Sequence, residues 1–201
     1  MDEPGAAADT AFNGDDPPTK PRLFLALLHH PVLNRNDEII TSQIDSFDFF
    51  DLSRLSLAYG IERCFFVNHL PSQRALAQRL VDHGRAEARQ TEIRGAFRCS
   101  VWAPDLRAAV ESITAMTGRS PTTVATSAKR LQSTITTKDI RTRLGCGEPV
   151  LLLFGKAWGL TSEALANADY LLEPIDLRTG YNHLSVRSAV SIIVDRVLGR
   201  D

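Results

Sequence analysis

The chain has 201 residues, 43% of them hydrophobic, and a formal net charge of −1. That length and apolar content suit one domain with a full core. Bulk charge does not announce a strongly basic nucleic-acid binder, and no run approaches the ~18 apolar residues of a membrane span.

The opening segment, MDEPGAAADTAFNGDDPPTK, carries five acidic residues and one lysine. It lacks the basic and apolar regions of a secretory signal. Its Pro, Gly, Ala and Asp content predicts a disordered tail over 1–20, followed by one domain over 21–201. Cys64, Cys99 and Cys146 are far apart, and no Cys-x-x-Cys or Cys/His spacing suggests zinc. No metal is expected, and unpaired thiols fit a reducing cytoplasm. Cys64 sits inside an apolar run and reads as core.

RLFLALLHH (22–30) predicts a first buried strand, with loop onward to Thr41. His29 and His30 are adjacent and point to opposite faces of a strand, which argues against a shared metal. SFDFFDLSRLSLAYG predicts a helix with Ser46 as N-cap, Asp48 and Asp51 in its first turns and Gly60 at its end. IERCFFVNHL is a second strand. A helix follows over 72–83, with Leu76 and Leu80 on one face. Residues 85–100 show no clear period and read as loop or irregular structure. PDLRAAVESITAMTG predicts a helix with Pro104 in its first turn and Gly118 past its end. PTTVATSA is a strand with its loop, and TTKDIRTRLG is a short helix ended by Gly145. Strand 149–154, a helix starting near Thr161, strand 169–173 and a final helix over 184–198 complete the chain. Strands alternating with helices predict a parallel α/β sheet flanked by helices.

Gly145-Cys-Gly147 begins a Gly-x-Gly pair, but Val150 breaks the pattern and the pair precedes a strand. A dinucleotide fingerprint or phosphate loop is unsupported, which weakens the reading as a nucleotide enzyme on an ordinary doubly wound sheet. The loops after strands 121–126, 149–154 and 169–173 are better candidates, because α/β sheets bind ligands at strand carboxyl ends. ATSA (125–128) offers small residues and hydroxyls. FGKAWGL (154–160) places Gly155 and Gly159 around Trp158, so backbone can approach a flat ligand. EPID to GYNHLSVRSA leads into the N-terminus of the last helix, where exposed amides can bind a polar group. Taken singly, each is an ordinary turn, and Trp158 alone reads as packing.

Together ATSA, LLLFGKAWGL and YNHLSVRSAVSIIVDRVLG resemble the SPOUT class of S-adenosylmethionine-dependent RNA methyltransferases. The group most resembled is a bacterial stand-alone one, related to a domain fused to some tRNA (guanine-N1) methyltransferases. HPVLNRNDEIITSQ, FDFFDLSRLSLAYGI and NHLPSQRALAQRLVDH extend the resemblance over 22–199. It implies a parallel α/β sheet with a deep C-terminal trefoil knot, a homodimer formed through the knot region, and RNA (tRNA or rRNA) as substrate. Carried over by position, S-adenosylmethionine would be held by Thr126, Ser127, Ala128, Phe154, Gly155, Trp158, Gly159 and Leu160. Ile175, Tyr181, Asn182, His183, Leu184, Ser185 and Ser188 would complete the pocket.

The resemblance also implies a role for Arg54, which matches the arginine of the family's first motif. A guanidinium is a donor with no lone pair to take up a proton, so it is no base; its forked donors suit a phosphate or an acceptor base. His183 is a candidate hydrogen-bonding or proton-accepting residue, and a structural role is the alternative. Six arginines between 74 and 98 face three acids there. Read alone they make a solvated helix face; with the function they make a phosphate-tracking patch, with Arg85 and Arg89 as RNA contacts. The chain departs from the family's pattern at Lys156, where Thr is expected, at Ala157, where Gly is expected, and at Ser46, which replaces Asn. It also lacks the glutamate that ribose-methylating members carry in the glycine loop. These departures leave open a non-catalytic RNA-binding or donor-sensing module on the same fold, and do not choose between base nitrogen and ribose oxygen as acceptor.

Overall fold

A computed structural model of the chain describes residues 21–87 and 97–199, and its centre is a six-stranded sheet in which every neighbouring pair is parallel. The expected tail over 1–20 lies outside the described residues. In chain order the sheet strands are β1 (Leu23–Leu28), β4 (Cys64–Val67), β5 (Ser100–Ala103), β6 (Thr122–Ala125), β7 (Val150–Gly155) and β8 (Tyr170–Leu171). A small hairpin, β2 (Val32–Leu33) with β3 (Ile39–Ile40), stands apart from it. The sheet order is β5-β4-β1-β7-β6-β8.

LFLALL and VLLLF are unbroken apolar runs because β1 and β7 are central and covered on both faces. They pair in register from Leu23 with Val150 to Leu28 with Gly155. Alternate side chains serve the two faces. Leu23, Leu25 and Leu27 pack with Phe49, Ile140 and Val194, from helices α1 (Ser46–Ala58), α4 (Thr137–Gly145) and α6 (Val186–Leu198). Helix α2 (Pro71–Glu87) adds Ala77 to that layer. Phe24, Ala26 and Leu28 pack on the other face with Ala109 and Ile113 of α3 (Leu106–Thr117) and with α5 (Ser162–Ala166) at its margin.

Several boundaries differ from the sequence reading. Asp45, not Ser46, caps α1: its carboxylate accepts the Asp48 amide at 2.9 Å. Asp105 caps α3, so Pro104 precedes the helix instead of sitting in its first turn. Ser185 caps the last helix, which leaves Leu184 outside it. Residues 30–41, expected as plain loop, contain the β2–β3 hairpin. Helix α2 continues to Glu87 and strand β5 begins at Ser100, while residues 88–96 of the stretch expected to be irregular lie outside the described residues. Gly84 lets the Phe97 ring pack against α2, since a Cβ there would lie 2.5 Å from that ring.

Helix α4 starts at a capping box in which Thr136 accepts from the Asp139 amide and the Asp139 carboxylate accepts from the Thr136 amide at 2.9 Å. Thr136→Ala is expected to destabilise the fold by about 1 kcal/mol in urea unfolding, because it orphans a helix-start amide.

Candidate functional site

The loops after β6, β7 and β8 converge at the carboxyl edge of the sheet. The first is held down by Thr126, whose hydroxyl donates to the Leu153 carbonyl at 2.8 Å. The Ser127 hydroxyl accepts the Lys129 amide at 3.1 Å. Asn182 ties the first loop to the third by donating to the Ala128 carbonyl at 2.8 Å.

The second loop turns back on itself at Gly155. A Cβ there would lie 2.4 Å from the Gly159 carbonyl carbon and 2.4 Å from the Leu160 nitrogen. Only glycine fits, and the neighbour it would strike is backbone. The loop is then pinned from outside: the Trp158 amide donates to the Leu33 carbonyl at 2.9 Å and the Leu33 amide donates to Gly159 at 3.0 Å. Ala157 sits at φ 54°, in the left-handed region. That is the position where the family resemblance calls for glycine, and an L side chain there costs about 1–2 kcal/mol. Phe154 and Leu160 are buried, so they anchor the loop, whereas Trp158 is 62% exposed.

A cavity of about 420 Å³ opens between the first and third loops, lined by Ala128, Arg130, Glu173, Ile175, Tyr181 and Asn182, among others. Its size falls in the ~300–1,000 Å³ range of small-ligand sites. Four of the residues expected at the donor pocket therefore meet there: Ala128, Ile175, Tyr181 and Asn182. Thr126 and Ser127 immediately precede this wall. Phe154, Gly155, Trp158, Gly159 and Leu160 form the adjoining loop and do not line the cavity. His183 is exposed beside Tyr181, ring centroids 5.4 Å apart at 71°. Leu184 leads into α6, and Ser185 accepts the Ser188 amide at 3.2 Å, so these two serines make the helix cap. Arg54 is exposed on α1, away from the cavity lining. Arg85 lies in the last turn of α2, and Arg89 lies outside the described residues. Among the described residues, no group of three or more His, Cys, Asp and Glu side chains could hold a metal ion.

The sequence reading missed a charged cluster beside these loops. The Lys156 ammonium donates to Asp45 at 2.6 Å and also to Asp48, which is 2% exposed. Arg187 reaches Asp48 at 3.4 Å and Asp51 at 3.0 Å. Burial raises the Asp48 carboxyl above its ordinary value, and Lys156 offsets only part of that. Burial also acts to raise Asp45, but the hydrogen bonds from Lys156 and the Asp48 amide outweigh it and hold it low. Burial acts to lower Lys156, and its two carboxylate partners overcome it, so the ammonium is held above its usual value. The sequence signals were Asp48 and Asp51 in the first turns of a helix and a lysine out of pattern at 156.

His29 is fully buried nearby; its Nδ1 meets the Ser42 hydroxyl at 3.1 Å and its Nε2 has no partner. Burial, and then the Lys156 charge, lower its pKa from 6.5 to about 4. Above pH 6.5 both folded and unfolded chains hold a neutral imidazole. Between 6.5 and about 4 the unfolded chain takes up a proton that the folded one refuses, so stability falls as pH falls. Denaturant titrations across that window are expected to lose about 3 kcal/mol to this group, and His29→Gln is expected to flatten the slope.

A family model described as SAM-dependent RNA methyltransferase matches residues 22–199. A tRNA (guanine-N(1)-)-methyltransferase of Oleidesulfovibrio alaskensis is 36% identical over 180 residues, which cover 88% of this chain and 42% of that protein. This chain thus spans less than half of that relative's length. An uncharacterized protein of Aquifex aeolicus is 32% identical over 186 residues, covering 89% of both chains. Among solved structures, a putative methylase family protein of Neisseria gonorrhoeae aligns with a TM-score of 0.62 at 15% identity, over 96% of this chain and 87% of that one. The SpoU methyltransferase AviRb of Streptomyces viridochromogenes, in complex with AdoMet, aligns with a TM-score of 0.56 at 16% identity, over 90% of this chain and 61% of that one. At such identities the structures share the fold.

Proposed function

The chain belongs to the SAM-dependent RNA methyltransferases, and from that premise we propose that it methylates a tRNA, with the donor seated in the cavity between the loops after β6 and β8. The observation that carries this reading is the meeting of Ala128, Ile175, Tyr181 and Asn182 around one cavity of about 420 Å³. The donor set fits S-adenosylmethionine. Ile175 and Tyr181 offer apolar faces for an adenine, and backbone amides and carbonyls of the loops can read its edge. Glu173 favours a cationic ligand, while the Arg130 guanidinium, which faces Asp176 at 3.5 Å, suits its carboxylate. The choice of tRNA follows the name of the relative from Oleidesulfovibrio alaskensis.

The donor supplies an electrophilic methyl group for in-line displacement. The chain's own task is alignment, and orientation of reactants is worth about 7–11 kcal/mol. Trp158, exposed on the adjoining loop after β7, offers a flat apolar face outside the cavity lining. Arg54 grips the acceptor nucleotide through its forked donors, and His183 hydrogen-bonds it or takes its proton. Arg85 and Arg89 hold the RNA backbone.

The reading includes a knot and a dimer. Residues 172–182 run beside the loop after β6: Ile135 bridges to Leu172, and Asn182 bonds Ala128. That proximity supports threading of the C-terminal segment through this loop, a rare exception to ordinary chain connection. The dimer is the one the family resemblance implies, formed through the knot region. The thiols of Cys64 and Cys146 suit work in the cytoplasm.

Incubation with labelled S-adenosylmethionine and unmodified tRNA tests the function. Label in tRNA is expected; donor binding without transfer to any RNA would favour the non-catalytic module. Arg54→Ala is expected to cut transfer at least about 100-fold with melting temperature and donor affinity unchanged, the scale of a lost positioned contact. Charge reversal at Arg85 and Arg89 is expected to weaken RNA binding and flatten its salt dependence by about two counterions, read in filter-binding titrations.

A further inference from the structure

Three acids at the start of α1 meet two cations that come from elsewhere in the chain. Asp48 is the centre: one carboxylate oxygen accepts from Lys156, and the other faces Arg187 at 3.4 Å. Asp45 takes the same ammonium at 2.6 Å, and Asp51 takes the same guanidinium at 3.0 Å. Lys156 belongs to the loop that turns at Gly155. Arg187 stands in the first turn of α6, directly after the 181–185 stretch. Each cation therefore carries one donor segment onto the same helix.

That helix also presents Arg54. Asp51 follows Asp48 by three residues and Arg54 follows Asp51 by three, so Asp51 neighbours both, with Asp48 buried and Arg54 exposed about 120° further round α1. Stability alone does not account for the arrangement. Taking a charge cluster out of water costs about as much as the pairing returns, and apolar side chains of similar volume do as well or better. What ion pairs supply and apolar contacts lack is direction. The loop also needs an outside hold, because Ala157 keeps it in a left-handed turn that its side chain disfavours.

We propose that Asp48 is a positioning residue of methyl transfer: its buried carboxylate fixes the loop after β7, through Lys156, and the start of α6, through Arg187, onto the helix that presents Arg54. The inference rests on the donor site proposed above. Asp48 touches neither donor nor RNA; it sets the distance between the segments that do.

Calorimetry of the full chain with S-adenosylhomocysteine tests the link without RNA. Asp48→Asn keeps the shape and removes the charge, and Lys156→Met removes the partner. Each is expected to weaken binding about tenfold, and the double variant by clearly less than the product of the two, because both break the Asp48–Lys156 link and each adds only the loss of its own second pair, with Arg187 or with Asp45. A second measurement separates positioning from general destabilisation. At saturating donor, Asp48→Asn is expected to lower kcat about tenfold with the KM for tRNA unchanged, and to add little to Arg54→Ala. Lys156→Arg, which restores a cation, is expected to recover most of the affinity lost in Lys156→Met. Should Asp48→Asn not fold, Lys156→Met combined with Arg187→Lys reads the same hub, and coupled losses are expected. Parental affinity in the single variants, or losses that multiply in the double ones, would overturn the inference while leaving the donor site standing. A parental chain that binds no S-adenosylhomocysteine would overturn the donor site and this inference together.

Discussion

The shape of the site depends on one steric fact at Gly155. The chain leaves the central strand β7 there and doubles back so closely that a Cβ would lie 2.4 Å from the backbone at Gly159 and Leu160. That reversal puts the Trp158 amide within reach of the Leu33 carbonyl and lets Leu160 bridge to Val32. The small hairpin after β1 is thereby fastened to the loop after β7. Two neighbouring central strands so present their carboxyl-end loops as one piece, and the loop after β6 meets the segment 173–182 beside it.

Electrostatics finishes what the backbone begins. The cluster around Asp48 links α1, the loop after β7 and the start of α6, and it lies next to a buried neutral His29. Both the raised carboxyl of Asp48 and the lowered imidazole of His29 arise first from burial. Charge in this region is tolerated because each ion has a partner, whereas the imidazole lacks a carboxylate in contact and stays neutral. The same pairing that keeps the charges tolerable holds the surrounding segments in fixed relation.

Much of this was legible from residues alone. Unbroken apolar runs disclosed β1 and β7, since only strands buried on both faces carry such runs. The amphipathic stretch after Ser185 disclosed α6, and its threefold combination with ATSA and FGKAWGL carried the family resemblance. Strand β5 escaped because SVWA is four residues long and follows a segment without a period. The cap of α1 was misplaced by one residue because Asp45 and Ser46 are both good cap formers, and only the hydrogen bond to Asp48 decides between them. The Asp48 cluster was invisible for a deeper reason. Its ion pairs join residues 108 or more apart in sequence, and pairings between distant segments leave no local pattern. Gly155 was read as making room for a ligand, and the geometry assigns it first to the chain's own backbone.

The central claim is that the segments 126–130, 155–160 and 173–185 form one donor site. Hydrogen exchange of the full chain with and without S-adenosylhomocysteine tests it most directly, because amides that become protected mark the bound surface. The account predicts protection of all three segments together, with α3 and the β5 edge unchanged. Protection confined to other parts of the sheet, or none in 126–130 and 173–185 at saturating ligand, would contradict it.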